Sequence, residues 1–154
     1  MARRYSFVIS ALASLTAVPF AQIATPATTG VALLWIRLTQ ETSETSQQEV
    51  ISIMRRSTAS TLPTSTTPTA LRENDPASLL TGSTTTNAQG IASVTGTAGN
   101  ILVRDSFNAL NGWEWLPTPE CQIIVKPSGF LTLQFPTAPA ANTWSGFIIF
   151  EELS

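Results

Sequence analysis

Glu114 and Glu120 are the carboxylates that this sequence sets close to aromatic rings, the first inside Trp113-Glu-Trp115 and the second just before Cys121. Two carboxyl groups flanking a bound sugar are what glycoside hydrolysis needs, one as acid and the other as base or nucleophile. Here they stand six positions apart across Pro117 and Pro119, a spacing from which no pairing geometry follows. Cys121 is the only cysteine and there is no histidine. An intramolecular disulfide, a thiolate metal cluster and every His-dependent triad are thereby excluded. The thiol reads as structural rather than nucleophilic, since no imidazole can hold it as a thiolate. Lys126, the only lysine, precedes Pro127 and marks a strand end rather than a Schiff base. Asp105, Glu151 and Glu152 lack the loop of alternating oxygen ligands around a glycine that calcium takes. Asn74-Asp75-Pro76 is a turn opener. No catalytic residue, metal site or cofactor is expected. Trp113 and Trp115 fall on one face of a strand, where they suit a core, a subunit interface or a sugar-stacking platform. Core or interface is the preferred reading, because tryptophan is both a large buried side chain and a frequent interface anchor. Arg55 and Arg56 read as solvated or paired, with contact to an acidic partner as the sharper possibility.

Positioning these residues falls to strands. The 154 residues are 43% hydrophobic, enough for one domain with a core. Only 12% are charged, against about 25% in an average domain. Ser and Thr take the polar positions, and threonine's branched Cβ favours a pleated surface over a helix. The net charge of −2 gives no electrostatic footprint for nucleic acid. Arg3 and Arg4 followed by Tyr5 to Phe20 have the outline of a secretory or twin-arginine signal. Alternation opposes it: Tyr5, Phe7, Ile9, Ala11 and Ala13 interleave with Arg4, Ser6, Val8, Ser10, Leu12 and Ser14, as in a half-exposed strand. Pro19 interrupts the run before it could span a membrane, so no membrane partner is expected.

Strands are predicted over Arg4–Ala17, Val31–Thr39 and Glu49–Arg56, with Val18–Gly30 an irregular connection. In the second of these, Val31, Leu33, Trp35 and Arg37 are assigned to one face. Residues 57–90 are rich in Ser, Thr and Pro and too poor in aliphatic side chains to fold alone. They read as a long insertion, an extended arm or loop interrupting a single β domain of residues 1–154. The charged island Ala70–Pro76 is expected to anchor it. Ile91–Thr97, Asn100–Phe107 and Trp113–Leu116 are predicted as further strands, and Cys121–Phe135 as a β-hairpin around Pro127-Ser-Gly129. In Trp144–Ser154 the side chains of Trp144, Gly146, Ile148 and Phe150 share the core face. Phe147 and Ile149 share the other, which has no evident cover within the chain and so reads as an interface. The sum is an all-β fold, a jelly-roll-like β-sandwich or barrel of about eight strands.

Three stretches carry a resemblance: the alternating opening RRYSFVISALASLTA, the strand pair in VALLWIRLTQETSETSQQEVISIMRRS before the Thr/Pro-rich insertion, and the closing TWSGFIIFEEL. In layout they resemble the capsid cement or decoration proteins of tailed bacteriophages, those of cyanophages in particular. The resemblance implies a non-enzymatic virion protein, commonly a homotrimer, on the outer surface of the capsid. There it would bind the major capsid protein and clamp neighbouring subunits, with no catalytic residue to carry over. Residues 57–90 would then be laid over a neighbouring subunit. The competing expectations are a phage fibre or tail accessory protein, and a secreted carbohydrate-binding sandwich using Trp113 and Trp115.

Overall fold

Alternating burial along the first and last strands places an apolar layer between two sheets. The structure, a computed structural model, describes residues 3–12, 19–42, 46–60, 62, 64–84, 100–139 and 143–153. Its strands are β1 (Arg3–Leu12), β2 (Pro19–Ala24), β3 (Gly30–Gln40), β4 (Gln48–Arg56), β5 (Thr64–Thr66) and β6 (Thr69–Ala70). They continue with β7 (Thr81–Thr84), β8 (Asn100–Asn108), β9 (Trp113–Trp115), β10 (Ile124–Val125), β11 (Phe130–Gln134) and β12 (Trp144–Leu153). Sheet A runs β10-β3-β12-β1-β6, with β9 also on β3, and sheet B runs β5-β7-β2-β11-β4-β8. Every pairing is antiparallel. The fold is an all-β sandwich, as the alternation predicts.

Between the sheets lie Tyr5, Phe7, Ile9, Ile36, Leu38, Ile148 and Phe150 from sheet A, against Ile23, Ile51, Ile53, Leu131 and Leu133 from sheet B. Each is worth roughly 1.5–3 kcal/mol if wholly withdrawn from water. Trp144 is the joint: its ring lies 5.2 Å from Phe135 and 5.9 Å from Phe107, both reached from sheet B. β12 is thus an inner strand, hydrogen-bonded to β1 on one side and β3 on the other. Gly146 is required there, since a Cβ would stand 2.0 Å from the Arg37 carbonyl oxygen.

Several expectations are corrected. The connection expected over Val18–Gly30 contains β2, whose first five residues are buried in the middle of sheet B. Pro19 is its first residue, a position where a missing N–H is tolerated. The hairpin expected over Cys121–Phe135 does not form, because β10 pairs with β3 in sheet A and β11 with β2 and β4 in sheet B. The turn between them is a crossing from one sheet to the other. Thr25 locks it: its hydroxyl accepts from the Gly129 N–H at 2.8 Å and donates to the Lys126 carbonyl at 2.7 Å. The strand expected over Ile91–Thr97 lies outside the described residues.

The Ser/Thr/Pro-rich stretch is not a free arm through its described part. It supplies β5 to sheet B, β6 to sheet A and β7 to sheet B again. Between β6 and β7 it straps one end of the sandwich. The Leu71 N–H donates to the Arg4 carbonyl at 2.9 Å, and the Tyr5 hydroxyl to the Pro76 carbonyl at 3.2 Å. Glu152 Oε1 accepts from the Ser78 hydroxyl at 2.7 Å and from the Leu79 N–H at 2.9 Å. Leu80 is buried in the common core. Few aliphatic side chains are needed, because backbone pairing and one buried carboxylate do the anchoring. Residues 85–90 lie outside the described residues.

Candidate functional site

The carboxylates that could do chemistry are spread apart, and three of them are engaged. Asp105 accepts from Trp113 Nε1 at 3.0 Å and from the Ser106 N–H at 2.8 Å. Glu151 pairs with Arg4 at 3.2 Å, and Glu152 holds the strap. Glu114 lies exposed on β9 opposite Arg37, while Glu120 is exposed in the single 3-10 turn Pro119–Cys121. Cys121 is exposed in that turn, which corrects the expectation of a structural thiol: the residue ends a turn on the surface instead of entering a strand. Asn74-Asp75-Pro76 ends a turn instead of opening one, the Asp75 N–H donating to the Arg72 carbonyl at 3.0 Å. Among the described residues no three of His, Cys, Asp and Glu come together in a metal-binding group.

The six interface candidates separate in space. Trp113 is 4% exposed in the core, and Trp115 is half-buried against that core. Opposite Leu38 and Ile36 in register, they face inward, so they make no exposed sugar-stacking platform. Arg55 is exposed and donates to the Ile124 carbonyl at 3.0 Å. Arg56 is 6% exposed, lying over sheet B with Nε on the Thr132 hydroxyl at 3.0 Å and Nη2 on Gln134 Oε1 at 2.8 Å. These partners are neutral, and burial lowers its pKa from the ordinary arginine value. Phe147 and Ile149 alone of the six share a surface.

That surface is the outer face of sheet A. In register across the strands lie Val8, Phe147, Arg37 and Glu114, then Ser6, Ile149 and Trp35, then Arg4, Glu151, Ala32 and Ile124. Val8 is 60% exposed, Ile124 47%, and Trp35, Phe147 and Ile149 are half-buried. The Trp35 ring meets Phe147 edge-on, centroids 4.8 Å apart. Sequence reasoning missed Trp35, because strict alternation put it on the side of Leu33. A β-bulge at Leu34 separates them: Leu33 faces the buried Phe150, whereas Trp35 faces Ile149. The two adjacent apolar residues Leu33-Leu34 were the available signal of irregularity, though a weak one. Val8 was legible from the opening alternation.

The outer face of sheet B is mixed. Gln22, Ser52, Arg56, Thr132 and Gln134 share it with Val50, Met54, Phe130 and the exposed Ile101, and the chain after β4 closes over part of it, with Gln22 Oε1 accepting from the Ser60 N–H at 2.7 Å. No family model, curated protein or solved structure matches this chain.

Proposed function

We propose that the protein is a non-enzymatic component of a tailed-phage virion, seated on the outside of the head and clamping neighbouring major capsid subunits. The observation that carries this is the half-exposed apolar face of sheet A, with Trp35, Phe147 and Ile149 at its centre. A contiguous apolar face of this kind marks a binding surface rather than a solvated one. Two further features support the reading. With β5–β7 set aside and β9 and β10 counted as one broken strand, successive strands alternate between sheets, except for β4 and β8, which pair within sheet B, in the orders β9/β10-β3-β12-β1 and β2-β11-β4-β8. We read that order as a jelly roll, an architecture that recurs in viral shells. The layout resemblance of the opening, paired and closing strands points the same way.

Clamping follows from elementary energetics. Packaged nucleic acid pushes capsomers apart, and a bridging protein adds buried apolar area at each seam. Many weak contacts on one shell act together, so their summed attachment is strong. Copy number in purified particles tests the assignment. Copies in the hundreds, together with lower heat resistance of heads that lack the protein, are expected. A dozen copies would place it on the tail instead, and complete absence from particles would refute a virion role.

A further inference from the structure

We propose that the outer face of sheet B holds a small tetrahedral oxyanion, of the phosphate class, on Arg56. This side chain is 6% exposed, and a guanidinium keeps its charge near neutral pH. A buried charge is ordinarily paired with an opposite one. Among the described residues Arg56 instead meets the Thr132 hydroxyl, Gln134 Oε1 and the Met54 sulfur, all neutral. No strand brings a carboxylate to that face. Glu49 of β4 and Asp105 of β8 stand opposite Phe107 and Ile51, on the inward side. β2, β5, β7 and β11 contain no acidic residue.

Two hydroxyls beside Arg56 supply an independent indication. Ser52 Oγ and Ser60 Oγ are shielded from solvent and have no hydrogen-bond partner. Ser52 is opposite Gln134 in register, and Gln134 takes one Arg56 nitrogen. Ser60 is tied by its N–H and its carbonyl to the Gln22 amide, and Gln22 is opposite Thr132, which takes another. The guanidinium is therefore flanked by two idle hydroxyl donors. A cation and two donors without an acceptor are complementary to an ion that only accepts, and phosphate does so on several oxygens at once. Ser52 and Ser60 are 0% and 8% exposed. Burial to that degree suits a free ion, admitted where residues 57–60 lift from Gln22, rather than a group carried on a partner's chain.

Calorimetric titration of the isolated, full chain with inorganic phosphate at constant ionic strength tests this away from any shell, so the outcome is separable from the virion role. Saturable binding of one ion per chain is expected, with an unfolding midpoint that rises with phosphate and then levels off. Arg56→Met replaces the buried charge by an apolar chain and should fold at least as well in chloride. It should weaken phosphate binding at least about thirtyfold. Ser52→Ala should weaken it about tenfold or more and cost nothing in chloride, because the hydroxyl has no partner there to lose. That variant carries the test if Arg56→Met does not fold. Arg37→Met, exposed on sheet A, should leave binding unchanged. No saturable binding up to about 10 mM phosphate overturns the proposal. So does a midpoint that only climbs in proportion to concentration, which is general salt exclusion. Binding that Arg56→Met and Ser52→Ala, both folded, leave intact overturns it as well, and acetate binding as tightly as phosphate would refute the tetrahedral assignment.

Discussion

Gly82→Ala is the substitution that separates a folded strap from a loose arm. Gly82 lies in β7 opposite Ile23 of β2, in a Thr/Ser run that would tolerate almost any residue if it were solvated. In the structure a Cβ at this position would stand 2.2 Å from Cδ2 and Cε2 of Phe7. Ordinary carbon–carbon contact is about 3.5–4.0 Å, so the ring must retreat by more than an ångström. It has nowhere to go, being 1% exposed on β1 and opposite Ile148 of β12 in register. Overpacking of this kind costs about 1–3 kcal/mol. For a domain of this length that lowers Tm by roughly 3–10 °C. Urea unfolding of wild type, Gly82→Ala, Phe7→Leu and the double variant measures it, because Phe7→Leu makes room for the new methyl. A coupling of about 1 kcal/mol or more between the two sites is expected. If Gly82→Ala unfolds within about 0.5 kcal/mol of wild type, as a surface change would, and the cycle shows no coupling, β7 does not pack on the core. The same reasoning predicts that excising residues 57–84 abolishes folding instead of leaving the sandwich intact, since Tyr5 and Glu152 lose their partners.

Two further outcomes are expected. Burial, and then the charge of nearby Glu152, raise the pKa of Tyr5 above 10.0, so the fold favours the neutral phenol. Its contribution is complete below pH 10.0 and is lost as pH climbs toward the raised value in the fold. Tyr5→Phe should cost about 1 kcal/mol at neutral pH through the lost hydrogen bond to Pro76, and its stability should fall less steeply above pH 10.0. Because Tyr5 is the only tyrosine, phenolate absorbance follows it directly, and an ordinary titration midpoint in the native protein would contradict its burial. Cys121 should react with a thiol reagent in the native protein, one equivalent per chain, at the rate of an exposed thiol; protection until unfolding would contradict its placement in the surface turn.

How much of this could be read from the residues alone depended on whether local pattern and tertiary contact agree. β1, β4 and β12 were legible because their side chains alternate in and out against a single core, whereas β3 breaks its alternation at Leu34 and β8 buries only Phe107. β2 was hidden because Pro19 reads as a breaker, while its role as a first strand residue depends on which neighbour is paired. The false hairpin arose because a turn signal states that the chain reverses and not which sheet it enters next; Thr25, a hundred residues upstream of its acceptor Lys126, makes that choice. The strap was hidden for another reason. Its hold on the body is mostly main-chain pairing and the Glu152 carboxylate, neither of which shows as hydrophobic periodicity. As for the candidate site, Phe147 and Ile149 emerged from a strand apolar on both faces. Trp35 joined them only through the bulge at Leu34, and Trp113 and Trp115 left the surface because β9 lies on β3 with its rings inward.

The inner position of β12 has a consequence for how the protein is made. β1 and β3 lie side by side in the sheet order only through β12, and Tyr5 finds its partner in Phe150. A ribosome therefore releases β1 and β3 without a common neighbour, and their facing edges wait for β12, far downstream of both. Pairing over such separations is slow, because the chain must close a very long loop before any contact rewards it. Nascent chains are then most exposed to mispairing with one another during that interval. A slow, late, single-step closure of the sandwich is the expected folding behaviour, and truncation ahead of Trp144 should yield insoluble product instead of a partly folded domain.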